Sequence, residues 1–129
     1  MKIAEVSKKF DLSQDTLRYY ERIGLIPYVN RKRGIREYND MDCRWVDFIK
    51  CMRNAGLPVE VLIEYVALFQ QGDKTINARK AILIKQRNIL TEKMELLSKT
   101  IERLDYKIKT YEETIMVKEK ELIKSEDLI

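Results

Sequence analysis

Ser13-Gln14-Asp15-Thr16-Leu17-Arg18-Tyr19-Tyr20-Glu21-Arg22, stopped at Gly24, decides how the chain is read. The Ser13 hydroxyl can accept from the free amides of a first helical turn, which makes it a good N-cap. Gly24 tolerates the left-handed conformation in which helices often end. On a wheel of 3.6 residues per turn, Leu17 and Tyr20 fall together and can face a core. Asp15, Arg18, Tyr19 and Arg22 lie on the other side, and a face with such donors and an aromatic ring suits a DNA major groove. Upstream, the spacing of Ile3, Val6 and Phe10 predicts a short helix over about residues 2–9, with Asp11-Leu12 as a tight connection. Two short helices joined by a few residues form a helix-turn-helix pattern.

Downstream, Leu25-Ile26-Pro27 cannot continue the helix. Tyr28-Val29 and Ile35-Arg36-Glu37-Tyr38 are short β-favouring runs around Asn30-Arg31-Lys32-Arg33-Gly34. They predict a hairpin, a wing, with Arg31, Lys32 and Arg33 at its tip. Three consecutive cations are costly to bury and favourable beside a phosphate backbone. A solvated loop is the bland reading of that run.

Asn39-Asp40 can cap a further helix with the stripe Trp45, Phe48, Ile49 and Met52, ending near Gly56. Pro58 suits the start of another, with the stripe Val59, Leu62, Val66 and Phe69, closed by Gln70-Gln71-Gly72. From Asp73 onward there is neither glycine nor proline. One heptad position carries Ile76, Leu83, Leu90, Leu97, Leu104 and Tyr111; the other carries Met94, Ile101, Ile108 and Ile115, with Lys80 and Arg87 earlier. The alternation is unbroken from Leu90 to Ile115, as in a two-stranded coiled coil. A helix over 75–117 would be roughly 64 Å long. Alone it cannot bury its stripe, so a second copy is the simplest partner. The flanking positions leave parallel and antiparallel pairing open.

The expected class is therefore mainly α. Residues 1–72 form a winged helix-turn-helix DNA-binding domain with a helix pair, and 73–117 a dimerisation coiled-coil helix. The tail 118–129 mixes charges without a strong stripe and is expected to fray.

Charge supports this division. Formal net charge is +4 overall, but residues 2–36 carry +5, residues 37–72 carry −3, and residues 73–129 carry +2. A polyanion would be drawn to the N-terminal end. The chain has no histidine, which removes the commonest general base and metal ligand. With no Gly-rich phosphate loop either, enzymatic chemistry is not expected, and no cofactor is implied. No apolar run approaches the ~18 residues of a membrane span, and the polar start carries no signal-peptide pattern. Cys43 and Cys51, eight apart on one helix, cannot bond to each other, so free thiols in a reducing cytoplasm are expected.

Thr16–Ile26, then Gly34-Ile35-Arg36-Glu37-Tyr38 and Met52-Arg53-Asn54-Ala55-Gly56, resemble the MerR family of bacterial transcription regulators, over Met1 to about Ile115. The resemblance implies an antiparallel dimerisation helix and a homodimer on a pseudo-palindromic promoter. It also implies activation by bending and untwisting an over-long spacer, so that RNA polymerase is affected indirectly through the promoter. Carried over by position, Thr16, Arg18, Tyr19 and Tyr20 would meet DNA from the second helix. Arg31, Lys32, Arg33, Arg36 and Tyr38 would do so from the wing. Most contacts would go to phosphates, with Arg18 the best candidate for a base edge. Dimerisation would fall to Leu83, Leu90, Met94, Leu97, Ile101, Leu104, Ile108, Tyr111 and Ile115.

Metal-sensing members place cysteines late in the long helix, and neither Cys nor His follows Cys51, so no metal site is expected. Drug-sensing members carry a large C-terminal ligand domain, for which these 129 residues leave no room. Phe48-Ile49-Lys50-Cys51-Met52-Arg53 resembles the aldehyde- and thiol-stress branch, which implies an effector-sensing role for Cys51. On a helix Cys51 shares a face with Arg44, which favours thiolate, and with Asp47, which opposes it. The bland alternative is a small apolar residue packed at a helix margin. At the level of the whole chain, the alternative to a regulator is a coiled-coil adaptor whose basic head binds an acidic protein.

Overall fold

Residues 1–111, 113 and 116–127 are described by a computed structural model. The order is α1 (Ile3–Phe10), α2 (Gln14–Arg22), β1 (Arg31–Lys32), β2 (Ile35–Arg36), α3 (Asp40–Asn54), α4 (Val59–Gln70), a 3-10 turn (Asp73–Thr75), α5 (Ile76–Thr110) and α6 (Met116–Asp127). The fold is mainly helical with a small two-stranded wing, as the sequence implied. The chain divides into two compact units, Met1–Gln86 and Arg87–Ile129.

Local chemistry sets the helix ends. Ser13 Oγ accepts from the Thr16 amide at 3.0 Å and fixes the start of α2. Asn39 and Asp42 form a reciprocal capping box on α3: the Asp42 amide donates to Asn39 Oδ1 at 2.8 Å, and the Asn39 amide to Asp42 Oδ2 at 2.9 Å. At the turn between α1 and α2, Asp11 takes a left-handed φ of 53°. There the Ser7 hydroxyl donates to the Leu12 carbonyl, and the Lys50 ammonium on α3 donates to the Phe10 carbonyl at the end of α1.

The first unit closes over one core, in which Val6, Leu17, Leu25, Ile26, Val29, Tyr38, Val46, Ile49 and Val66 are almost wholly buried. Each such side chain contributes about 1.5–3 kcal/mol by leaving water. On α3 the buried stripe is Trp45, Val46 and Ile49, while Phe48 and Met52 lie at its half-buried edge. The predicted stripe was therefore turned by part of a residue step. Trp45 meets Phe69 at a ring-centroid distance of 5.0 Å, and Phe48 and Tyr65 at 6.1 Å, all edge-on.

The start of α5 belongs to this first unit, which extends to Gln86. The buried Thr75 hydroxyl bonds to the Leu68 carbonyl at 2.6 Å, and Arg79 Nε donates to Thr75 Oγ1 at 3.0 Å. The Arg79 guanidinium also stands 5.4 Å from the centre of the Phe69 ring. Lys80 and Arg87, at core heptad positions, are exposed.

The wing is shorter than expected and shifted. Its register pairs Arg31 with Arg36 and Lys32 with Ile35. The connection is a two-residue turn, Arg33-Gly34, with φ of 56° and 78°. Positive φ at both central positions matches the twist of a tight hairpin, and Gly34 adopts it without steric cost. Arg31 and Lys32 are therefore strand residues, and only Arg33 stands at the tip. Tyr28-Val29 is not a strand, because the Val29 amide donates to the Glu21 side chain at 2.8 Å instead of to a strand partner.

In the second unit, Met94, Leu97, Ile101, Leu104 and Ile108 are 56–73% exposed in the single chain. Tyr111 is also exposed. Leu83 and Leu90 lie astride the division, exposed and half-buried respectively. Ile115 falls outside the described residues. The helix α5 is about 52 Å long, and Tyr111 and Glu113 beyond it are π-helical. The segment expected to fray is helical over Met116–Asp127. It lacks glycine and proline and is rich in Glu, Lys and Leu, which are good helix formers even without a stripe.

Candidate nucleic-acid interface

Helix α2 presents its outer face as its wheel implies. Leu17 and Tyr20 are buried, Tyr19 and Arg22 are exposed, and Thr16 and Arg18 are half-exposed. Arg18 is held along the helix by Asp15 Oδ1 at 3.0 Å and Gln14 Oε1 at 3.3 Å. Asp15 is almost fully exposed, so this pair contributes little and is easily exchanged for a phosphate. The Arg22 guanidinium lies 5.5 Å from the centre of the Tyr19 ring. Thr16 Oγ1 is tied to Ser13 Oγ at 2.8 Å, close to the helix start.

One carboxylate joins this helix to the wing. Glu21 has a side chain only 6% exposed; it accepts from Arg31 NH1 at 2.6 Å and from Arg36 Nε at 2.7 Å. The Val29 amide adds a third bond at 2.8 Å. Burial pushes the Glu21 carboxyl pKa up, but the hydrogen bonds from Arg31, Arg36 and Val29 outweigh it and hold it below the usual carboxylate range. Arg31 also donates to the Val29 carbonyl, and its guanidinium lies 4.7 Å from the centre of the exposed Tyr28 ring. The result is a depression of about 400 Å³ lined by Arg18, Glu21, Arg22, Tyr28, Arg31 and Arg36. Beyond it, Lys32 and Arg33 are exposed on the wing.

Of the nine DNA-facing candidates, seven are at least partly exposed: Arg18, Arg31 and Arg36 line the depression, while Thr16, Tyr19, Lys32 and Arg33 lie outside its lining. Two are not. Tyr38 is only 2% exposed, and its buried hydroxyl has no hydrogen-bond partner. Successive residues of an extended strand point to opposite faces. Arg36 points to Glu21, so Tyr38, two residues on, points the same way and into the core. Tyr20 is also a core residue, and burial pushes the hydroxyl pKa of both tyrosines up. Glu21 and Tyr28 also carry this geometry, and the sequence marks neither: Glu21 is one acid within a helical run, and Tyr28 sits in a β-favouring pair.

Cys51 is exposed on α3 of the single chain. Cys43 is half-buried, and burial pushes its thiol pKa up, which disfavours the reactive thiolate. Among the described residues no cluster of His, Cys, Asp and Glu could hold a metal ion. No helix among them is long and apolar enough to cross a membrane.

Comparison with known proteins is consistent over most of the chain. The profile of the MerR HTH family regulatory protein matches residues 1–68, and that of the MerR DNA-binding region matches residues 43–106. The HTH-type transcriptional regulator AdhR of Bacillus subtilis (strain 168) is 59% identical over 93 residues, which are 71% of this chain and 66% of that protein. A second regulator of that organism, the uncharacterised YyaN, is 31% identical over 114 residues, 88% of this chain and 81% of its own length. A MerR family transcriptional regulator from Listeria monocytogenes superposes with a TM-score of 0.86 at 42% identity, over 98% of this chain and 96% of that one. HiNmlR, a MerR family regulator that lacks the sensor domain and was solved bound to promoter DNA, gives a TM-score of 0.79 at 27% identity. That match covers 89% of this chain and 92% of HiNmlR.

Proposed function

Because the chain belongs to the MerR family of helix-turn-helix regulatory proteins, we propose that it works as a homodimer that binds a pseudo-palindromic promoter and activates transcription by distorting it. At the coarser level it is a DNA-binding transcription regulator, and its relatives and fold are those of regulators rather than enzymes. The observation that carries the finer reading is the shared face of α2 and the wing, where Arg18, Arg22, Arg31 and Arg36 surround one depression. Such a surface follows a phosphate backbone while α2 lies in the groove.

The dimer supplies the symmetry. The exposed stripe Met94, Leu97, Ile101, Leu104 and Ile108 calls for an apolar partner, and a second copy offers the same stripe. Two heads at a fixed separation then read two half-sites. RNA polymerase responds through the promoter, because bending and untwisting the spacer realigns its two boxes at a cost in DNA deformation energy. The site of action is the cytoplasm, where the promoter is.

For the signal, the exposed Cys51 on α3 is the candidate. Its thiolate adds to the carbonyl carbon of an aldehyde, the carbonyl oxygen takes up a proton, and a hemithioacetal results. That adduct enlarges a side chain on α3 of the first unit, where it biases a two-state dimer.

Selection of random duplexes on the purified protein tests the reading. A symmetric motif should be enriched and then bound with affinity that falls steeply as salt rises. Recovery of no motif would overturn it and favour a basic head that binds an acidic protein.

A further inference from the structure

We propose that Glu21 is a positioning residue that builds a site for one DNA backbone phosphate at the junction of α2 and the wing. The proposal rests on the DNA-binding reading above. A bare carboxylate at a DNA surface would repel phosphate, yet Glu21 lies at the junction of the two DNA-facing elements. Its charge is spent inward: Oε1 takes Arg36 Nε, while Oε2 takes Arg31 NH1 and the Val29 amide. A guanidinium carries five N–H donors in a rigid fork. Arg36 spends one on Glu21, and Arg31 spends NH1 on Glu21 and the Val29 carbonyl. Both arginine side chains stay about one-quarter exposed, at 26–27%.

The depression that these groups line contains four arginines and one glutamate, so it keeps an excess of three positive charges. Arg18 and Arg22 come from α2, and Arg31 and Arg36 from the two wing strands. An anion seated there is held from both elements at once, and phosphate is the anion that DNA offers. Without Glu21 the four cations would repel one another, and the long arginine side chains would lose their common anchor. Each would then meet phosphate only after losing rotamer freedom. Glu21 also fixes the separation of helix and wing, and so the phosphate spacing along the backbone that the head accepts.

The test uses the full chain and a duplex selected on it, with a neutral methylphosphonate placed at each backbone position in turn. In the wild type, neutralising one phosphate per half-site opposite the helix–wing junction should weaken binding about tenfold, the scale of one charge-assisted hydrogen bond. Glu21→Ala should weaken binding to the unmodified duplex by a similar factor, and the same methylphosphonate should then add little. Glu21→Gln keeps the shape and one acceptor oxygen; it should fall between the two, and it carries the test alone if Glu21→Ala fails to fold. Variants with wild-type affinity and an unchanged phosphate profile would overturn the proposal. So would losses spread evenly over all phosphates, as a merely structural role would give. If the wild type selects no duplex, the DNA-binding reading itself falls, whatever the variants do.

Discussion

Glu21 and Arg36, fifteen residues apart in sequence, meet through a 2.7 Å contact between Oε1 and Nε that ties α2 to the wing. Arg31 bonds to the same carboxylate from the opposite strand. The two elements proposed to face DNA are thereby joined through a buried carboxylate.

This tie should make stability depend on acid. The folded pKa of Glu21 lies below its unfolded value, so its contribution is present in full above the unfolded value. It is lost as pH falls through the folded one, below the usual carboxylate range. Glu37, held down by hydrogen bonds from Lys2 and the N-terminal amine, has the same sign. Urea midpoints measured from neutral pH into acid should fall in the wild type. In Glu21→Gln they should start lower, by about 1–3 kcal/mol of stability, and fall less. Parallel curves for the two proteins would remove Glu21 from the account.

Tyr38→Phe removes a buried hydroxyl that has no partner. The variant should be as stable as the wild type, or more stable by up to roughly 1–2 kcal/mol. Operator affinity should be unchanged, because the ring lies in the core. Loss of affinity with the fold intact would return Tyr38 to the DNA-contacting set.

Arg18→Ala should lose about tenfold or more in operator affinity and flatten the discrimination between operator and random duplex, while the oligomeric state stays the same. Electrophoretic titrations with both duplexes measure this. Equal loss on both would make Arg18 a phosphate contact, and no loss would count against α2 as the reading helix.

A charge in the heptad stripe should separate the copies. Ile101→Glu places a carboxylate among Leu97, Leu104 and Ile108, all exposed in the single chain and proposed to be covered in the dimer. Sedimentation should then show monomer at concentrations where the wild type is dimeric. The thermal transition of the head should move little, because its core residues come from the first unit. Persistence of a dimer would place the interface elsewhere.

A brief pulse of iodoacetamide in the presence of excess aldehyde, followed by peptide analysis, should find Cys51 protected from alkylation and the half-buried Cys43 little changed. Cys51→Ser should bind DNA normally and fail to respond. Equal alkylation of Cys51 with and without aldehyde would end the sensor role.

The helix-turn-helix was legible because its signals are local: the Ser13 cap, the Leu17–Tyr20 face and the Gly24 stop lie within one short stretch. The wing was legible as a hairpin, but its ends were not. Whether Val29 joins a strand depends on Glu21, eight residues earlier, which takes its amide. The inward direction of Tyr38 follows from the phase of β2, which the Arg33-Gly34 turn fixes. Glu21 itself carries no local signal of its part in the fold. Its role arises from two arginines that only the folded wing brings to it. Composition cannot separate the helical segment Met116–Asp127 from a frayed one, since strong helix formers suit both readings.

Counting chains on the selected duplex, by sedimentation or mass photometry across a salt series, tests most directly whether two heads read one DNA. Two chains per duplex are expected, with affinity that collapses as salt rises and with one half-site insufficient by itself. One chain per duplex, or equal affinity for a scrambled sequence, would contradict it.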